Sequence, residues 1–129
     1  MAEAFGAYVP EDRRVPRSDP GPRWRGRGSV LFADVSGFTA LTVRLVEALG
    51  RRRGAEEVAR HLDRLYDALV TEVDRRDGSV IGFSGDAILA LFPDDDGRTA
   101  ARAAAAMQAA MEPFSDVAVD GLPGERVHL

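Results

Sequence analysis

The stretch at residues 78–92, GSVIGFSGDAILALF, decides the fold. Ser79 to Phe83 and Asp86 to Phe92 are short runs rich in β-branched and aromatic residues, which reads as two strands. Ser84-Gly85 stands between them, a pair suited to a tight hairpin. Asp86 is out of character there. It follows the turn and leads directly into the apolar run Ala87 to Phe92, where a charge is costly to bury unless paired or metal-bound.

Upstream, Asp77-Gly78 ends a helix expected over residues 55–75. Val58, Leu62, Leu65, Leu69 and Val73 recur there at spacings of three and four and mark one buried face. Gly50 to Gly54 reads as a basic connector. Before it, a helix is expected over residues 38–49, with Leu41, Leu45 and Leu49 at i, i+4 and i+8. Ser29 to Val35, SVLFADV, has the composition of a buried central strand, broken by Gly37. Downstream, Asp94-Asp95-Asp96 precedes a third helix from Arg98 to Met111, stopped by Pro113. The acidic run suits a cap and helix-dipole partner better than a Ca²⁺ loop. Met107 and Met111, four apart, read as core packing. Val117 to Val119 and Glu125 to Leu129 open further strands.

Strand, helix, helix, strand, strand, helix and a barely begun strand imply an α+β sheet with helices on one face, incomplete at the C-terminus. Residues 1–28 are rich in Pro, Gly and Arg and read as a flexible arm, with Trp24 packed onto the domain that follows. The arm's arginines suit either a solvated linker or a phosphate-binding surface.

Composition narrows the function. A chain of 129 residues suits one domain. A net charge of −4 argues against a nucleic-acid partner. The absence of cysteine excludes disulfides and thiolate metal sites. No run is long and apolar enough for a membrane span, and the first residues lack a secretory pattern, so a cytoplasmic location is expected. All 17 Lys+Arg residues are arginine, so a function needing lysine must obtain it elsewhere.

Asp34 interrupts the end of the first strand much as Asp86 opens the apolar run of the hairpin. If these strands are neighbours, the two carboxylates converge and offer the hard oxygen ligands that Mg²⁺ or Mn²⁺ takes. The alternative is that each is a strand-end turn residue. Ser36-Gly37-Phe38-Thr39 then lies between Asp34 and the first helix. Its glycine permits close backbone approach and its helix-start amides favour phosphate, although Ser or Thr there can equally cap the helix.

FADVSGFTALT at residues 32–42 and GSVIGFSGDAILALF together resemble the two signature segments of class III adenylate and guanylate cyclases. The resemblance covers residues 29–129, and AYVPEDRR in the arm is similar to the lead-in of large multidomain bacterial members of the soluble-type group. It implies a ferredoxin-like, palm-type βααββα core. It implies that Asp34 and Asp86, with the Val35 carbonyl, bind two Mg²⁺ or Mn²⁺ ions, and that the loop Ser36–Thr39 contacts the triphosphate of ATP or GTP. The reaction implied is attack of the ribose 3′-hydroxyl on the α-phosphate with loss of pyrophosphate, a two-metal displacement.

The departures from the pattern matter as much. The family's base-reading lysine stands four residues before the second metal aspartate, where this chain has Gly82. The family's other base-reading residue and its transition-state asparagine and arginine belong to a region past Leu129. Since the family forms its site between two cyclase domains, this chain is expected to supply the metal half to a second cyclase-like domain, and to be inactive alone. The competing reading is a catalytically inactive dimerisation or regulatory module. A diguanylate-type transferase is disfavoured, because the hairpin turn reads FSGDA rather than a GGDEF-like run.

Overall fold

A computed structural model describes residues 26–129 apart from 120, 122 and 125. Residues 1–25 of the expected arm, Trp24 among them, lie outside the described residues. The elements are β1 (Gly28–Asp34), α1 (Phe38–Asp74), β2 (Ser79–Ser84), β3 (Ala87–Pro93), α2 (Arg98–Ala110), a 3₁₀ turn (Glu112–Phe114), β4 (Val117–Ala118) and β5 (Arg126–Val127).

The two helices expected between the first strands are both present, joined at Gly50, whose φ of 80° and ψ of 166° are not helical. The expected connector shrinks to that one residue, and Arg51 to Arg53 are helical. Arginine is a good helix former, and one left-handed glycine suffices to redirect the chain.

β3 is the central strand of an antiparallel sheet ordered β1-β3-β2. β1, expected at the centre, is an edge among the described residues. Its exposure alternates along its whole length, as in a strand covered on one face only. In the β1–β3 register Ser29 faces Phe92, Leu31 faces Ala90 and Ala33 faces Ile88. These pairs point toward the helices. Phe92, Leu41, Leu45, Leu65, Ile88 and Val73 are the largest fully buried side chains. Burying each contributes about 1.5–3 kcal/mol, so this layer is what fixes the sheet against the helices. Leu69, Ala103 and Met107 complete it, with Leu49, Val58, Leu62 and Met111 partly buried around it.

No element among the described residues covers the opposite face of the sheet. Val30 lies opposite Leu91, Phe32 opposite Leu89 and Asp34 opposite Ala87. Val30 and Phe32 are 60% and 61% exposed. The architecture is thus a mixed α+β fold with its helices on one face. β4 and β5 pair antiparallel with each other in a separate ladder.

Candidate metal and nucleotide site

The hairpin turn is Gly85-Asp86, because Ser84 pairs with Ala87. Asp86 therefore belongs to the turn rather than to the strand, outside the pleat and half-buried. Asp34 is the last residue of β1, exposed, and opposite Ala87. The two aspartates thus stand at the same end of adjacent strands. Their α-carbons are at most roughly 9 Å apart, an opposed pair being about 5.5 Å and one chain step about 3.8 Å.

The loop after Asp34 is held by two apolar feet. Val35 and Phe38 are buried in the core, while Ser36, Gly37 and Thr39 are exposed. Gly37 is the N-cap of α1 at φ 83° and has no side chain to cap with; among the described residues no side-chain hydrogen bond reaches the first amides of this helix. The hydroxyl groups at Ser36 and Thr39 thus do not play the capping role open to them in the sequence. A Cβ at Gly37 would overlap the His128 carbonyl oxygen. Glycine is needed here for both φ and close approach. His128 and Leu129, which attracted no role in the sequence, close this loop from below. The Leu129 amide donates to the Phe114 carbonyl at 3.2 Å, and the His128 ring pairs with the Ser115 carbonyl.

Ala33, Asp34, Val35 and Ser36 line one side of a cavity of about 210 Å³, with Met107, Gln108, Met111 and Leu129 among the residues opposite. Gly82 is on β2 opposite Leu89, at an irregularity in the register that follows Val80. A Cβ at Gly82 would meet nothing within 4 Å. Among the described residues no three His, Cys, Asp or Glu side chains gather to hold a metal ion. The oxygens expected to hold metal, those of Asp34, Asp86 and the Val35 carbonyl, are hard donors of the kind that Mg²⁺ or Mn²⁺ takes rather than a soft metal.

Tyr66, which the helical periodicity left unremarked, reaches the site from α1. Its hydroxyl donates to the Gly85 carbonyl at 2.7 Å, and its ring lies 5.1 Å from that of Phe83 at a tilt of 59°. Burial, and then the negative charge of Asp86, pushes its phenol above the ordinary value. The available signal was a tyrosine between Leu62 and Leu69 on the buried stripe, since a partly buried phenol needs a hydrogen-bond partner.

The acidic run before α2 is a cap. The Asp95 carboxylate accepts the backbone N–H groups of Thr99 and Ala100, each at 3.0 Å, and Asp96 accepts that of Arg98 at 3.2 Å. Burial raises the Asp95 pKa, but those N–H bonds outweigh it and hold the carboxyl well below the usual range.

No protein-family profile matches the chain. The chain is similar to adenylate cyclase type 10 of Rattus norvegicus, 40% identical over 88 residues, which cover 68% of this chain and 5% of the rat protein. The same protein of Mus musculus matches to the same extent. Adenylate cyclase 1 of Rhizobium meliloti is 29% identical over 130 residues, covering 92% of this chain and 18% of that protein. The chain therefore spans a small part of the relatives it matches. These similarities support a cyclase-like relationship. Among the described residues no helix is long and apolar enough to cross a membrane.

Proposed function

We propose that the chain is a nucleotidyl cyclase domain, with a palm-type core, that supplies the metal and triphosphate half of a site completed by a second cyclase-like domain. The observation that carries this reading is the strand register, which sets Asp34 opposite Ala87, the neighbour of Asp86, beside a helix start whose amides are bonded by no side chain among the described residues. Similarity to proteins named adenylate cyclase supports it independently.

Asp34, Asp86 and the Val35 carbonyl would hold two Mg²⁺ or Mn²⁺ ions. Bound there, the ions supply charge neutralisation and lower the pKa of the ribose 3′-hydroxyl. Phe38 and Thr39 amides at the α1 N-terminus donate to triphosphate oxygens, with the helix dipole favouring the negative charge. Gly82 leaves base recognition to the partner.

Two features favour a partner. The cavity beside Asp34, about 210 Å³, is smaller than the roughly 300–1,000 Å³ of pockets that enclose a ligand. The open sheet face carries Val30, Phe32, Leu89 and Leu91, and ends at Asp34. A domain laid over that face covers the apolar strip and meets the metal aspartate.

The test is cyclic nucleotide formation from ATP and GTP by the reading frame encoding this chain, with Mg²⁺ or Mn²⁺. Asp34→Ala and Asp86→Ala each abolish turnover, and activity does not require Gly82→Lys. Turnover surviving loss of both aspartates would favour the regulatory module.

A further inference from the structure

We infer that Tyr66 is a positioning residue for Asp86: from α1 it clamps the β2–β3 turn and so sets where the Asp86 carboxylate stands. The inference rests on the proposed metal role of Asp86, but its structural half stands on contacts of its own.

A two-residue hairpin turn is held from within by its strands and is otherwise open to solvent. Here Gly85 has φ +63° and a Cβ on it would meet nothing within 4 Å, so packing of Gly85 does not fix the turn. Asp86 accepts no hydrogen bond from the described residues that would orient it. The tether is Tyr66. Its hydroxyl binds the carbonyl of Gly85, the residue directly before Asp86, at 2.7 Å. Its ring leans on Phe83, the strand residue two before that carbonyl. One side chain thus grips the hairpin at two points.

The base of the clamp is rigid. Leu65 and Leu69, on either side of Tyr66 along α1, are 0% and 3% exposed. The phenol therefore projects from a helix anchored in the core, and the turn is referred to that helix rather than to its own strands. The other ligands share this reference, since Val35 and Phe38 are buried in the same core cluster as Leu65 and Leu69. Metal sites are tuned by groups that orient their ligands as well as by the ligands. Tyr66 acts through the backbone before the ligand, leaving both carboxylate oxygens of Asp86 available.

The experiment uses the 129-residue chain with Tyr66→Phe, which removes the hydroxyl and keeps the ring, and Tyr66→Leu, which removes both. Two quantities are read: amide hydrogen exchange of residues 84–88, and Mn²⁺ affinity by electron paramagnetic resonance. Loss of one such hydrogen bond should speed exchange in the turn roughly fivefold in Tyr66→Phe, with exchange in β1 and α2 unchanged. Mn²⁺ should bind roughly tenfold more weakly, the lower end for groups that orient a ligand. Tyr66→Leu should loosen the turn further.

Unchanged exchange at the turn in Tyr66→Phe overturns the inference whatever the metal does. A loosened turn with unchanged Mn²⁺ affinity overturns the positioning role. If the wild-type chain binds no Mn²⁺, the metal reading of Asp86 fails by itself, and the positioning of the turn is still decided by exchange.

Discussion

The two helices start alike and end up doing different things. Each begins after a left-handed glycine, Gly37 at φ 83° for α1 and Gly97 at φ 100° for α2, and each is preceded by aspartate. Before α2, Asp95 and Asp96 fold back onto the first amides of the helix. Before α1, Asp34 is one residue farther from its glycine than Asp95 is from Gly97. It stays in the β1 pleat, and among the described residues no side chain bonds the first amides of the helix. One acidic approach is closed on itself and structural. The other leaves a carboxylate and a set of amides open beside each other, an arrangement that suits a metal-bound phosphate. The distance in sequence between acid and glycine, with the strand that holds Asp34, separates the two outcomes.

Substituting the glycines should sharpen that contrast most. Alanine at either position pays the left-handed penalty of about 1–2 kcal/mol. At Gly37 it also overlaps the His128 carbonyl, whereas at Gly97 the nearest atom, Ser29 Oγ, is 3.9 Å away. Urea unfolding should therefore show Gly37→Ala clearly more destabilised than Gly97→Ala, with faster exchange at residues 126–129. Equal losses would mean that the closing segment contributes nothing to the loop.

The acids come next. Asp95→Ala leaves two N–H groups of α2 without their acceptor and should lower the melting temperature by several degrees. Asp34→Asn, with no amide to desert, should change stability by no more than about 0.5 kcal/mol. A loss at Asp34 as large as that at Asp95 would make it a structural turn residue.

A smaller effect follows with pH. The folded-state pKa of Asp95 is depressed, so its stabilisation is fully present above the unfolded value of about 3.9 and is lost as pH falls toward the folded value. Thermal melts between about pH 5 and pH 2 should fall less steeply for Asp95→Asn than for the wild type. Parallel slopes would show that the cap is not charged in the way its hydrogen bonds require.

Much of this was legible in the sequence because it rests on local patterns. The 3.6-residue repeat of Leu41, Leu45, Leu65, Leu69 and Val73 located the buried helix faces, and the hairpin followed from two β-rich runs around a glycine. The boundaries were less so. Asp86 falls in the turn because pairing of Ser84 with Ala87 sets the register, which composition cannot specify. β1 reads as central because Val30 and Phe32 are apolar, yet the structure leaves both exposed on the open face. An apolar residue awaiting a partner and one in a core look the same in sequence. Both aspartates were singled out as candidates because a charge is out of place beside an apolar run. Tyr66 and His128 were not, because each acts through a backbone carbonyl far away in sequence.

The central claim, that Asp34 and Asp86 together hold metal for a nucleotide, is tested most directly by Mn²⁺ titration of the purified chain with and without ATP, followed by electron paramagnetic resonance. Wild type should bind Mn²⁺, more tightly with ATP present. Asp34→Asn and Asp86→Asn should each lose that binding while keeping the wild-type circular dichroism spectrum. Binding that survives in both folded variants would contradict the account.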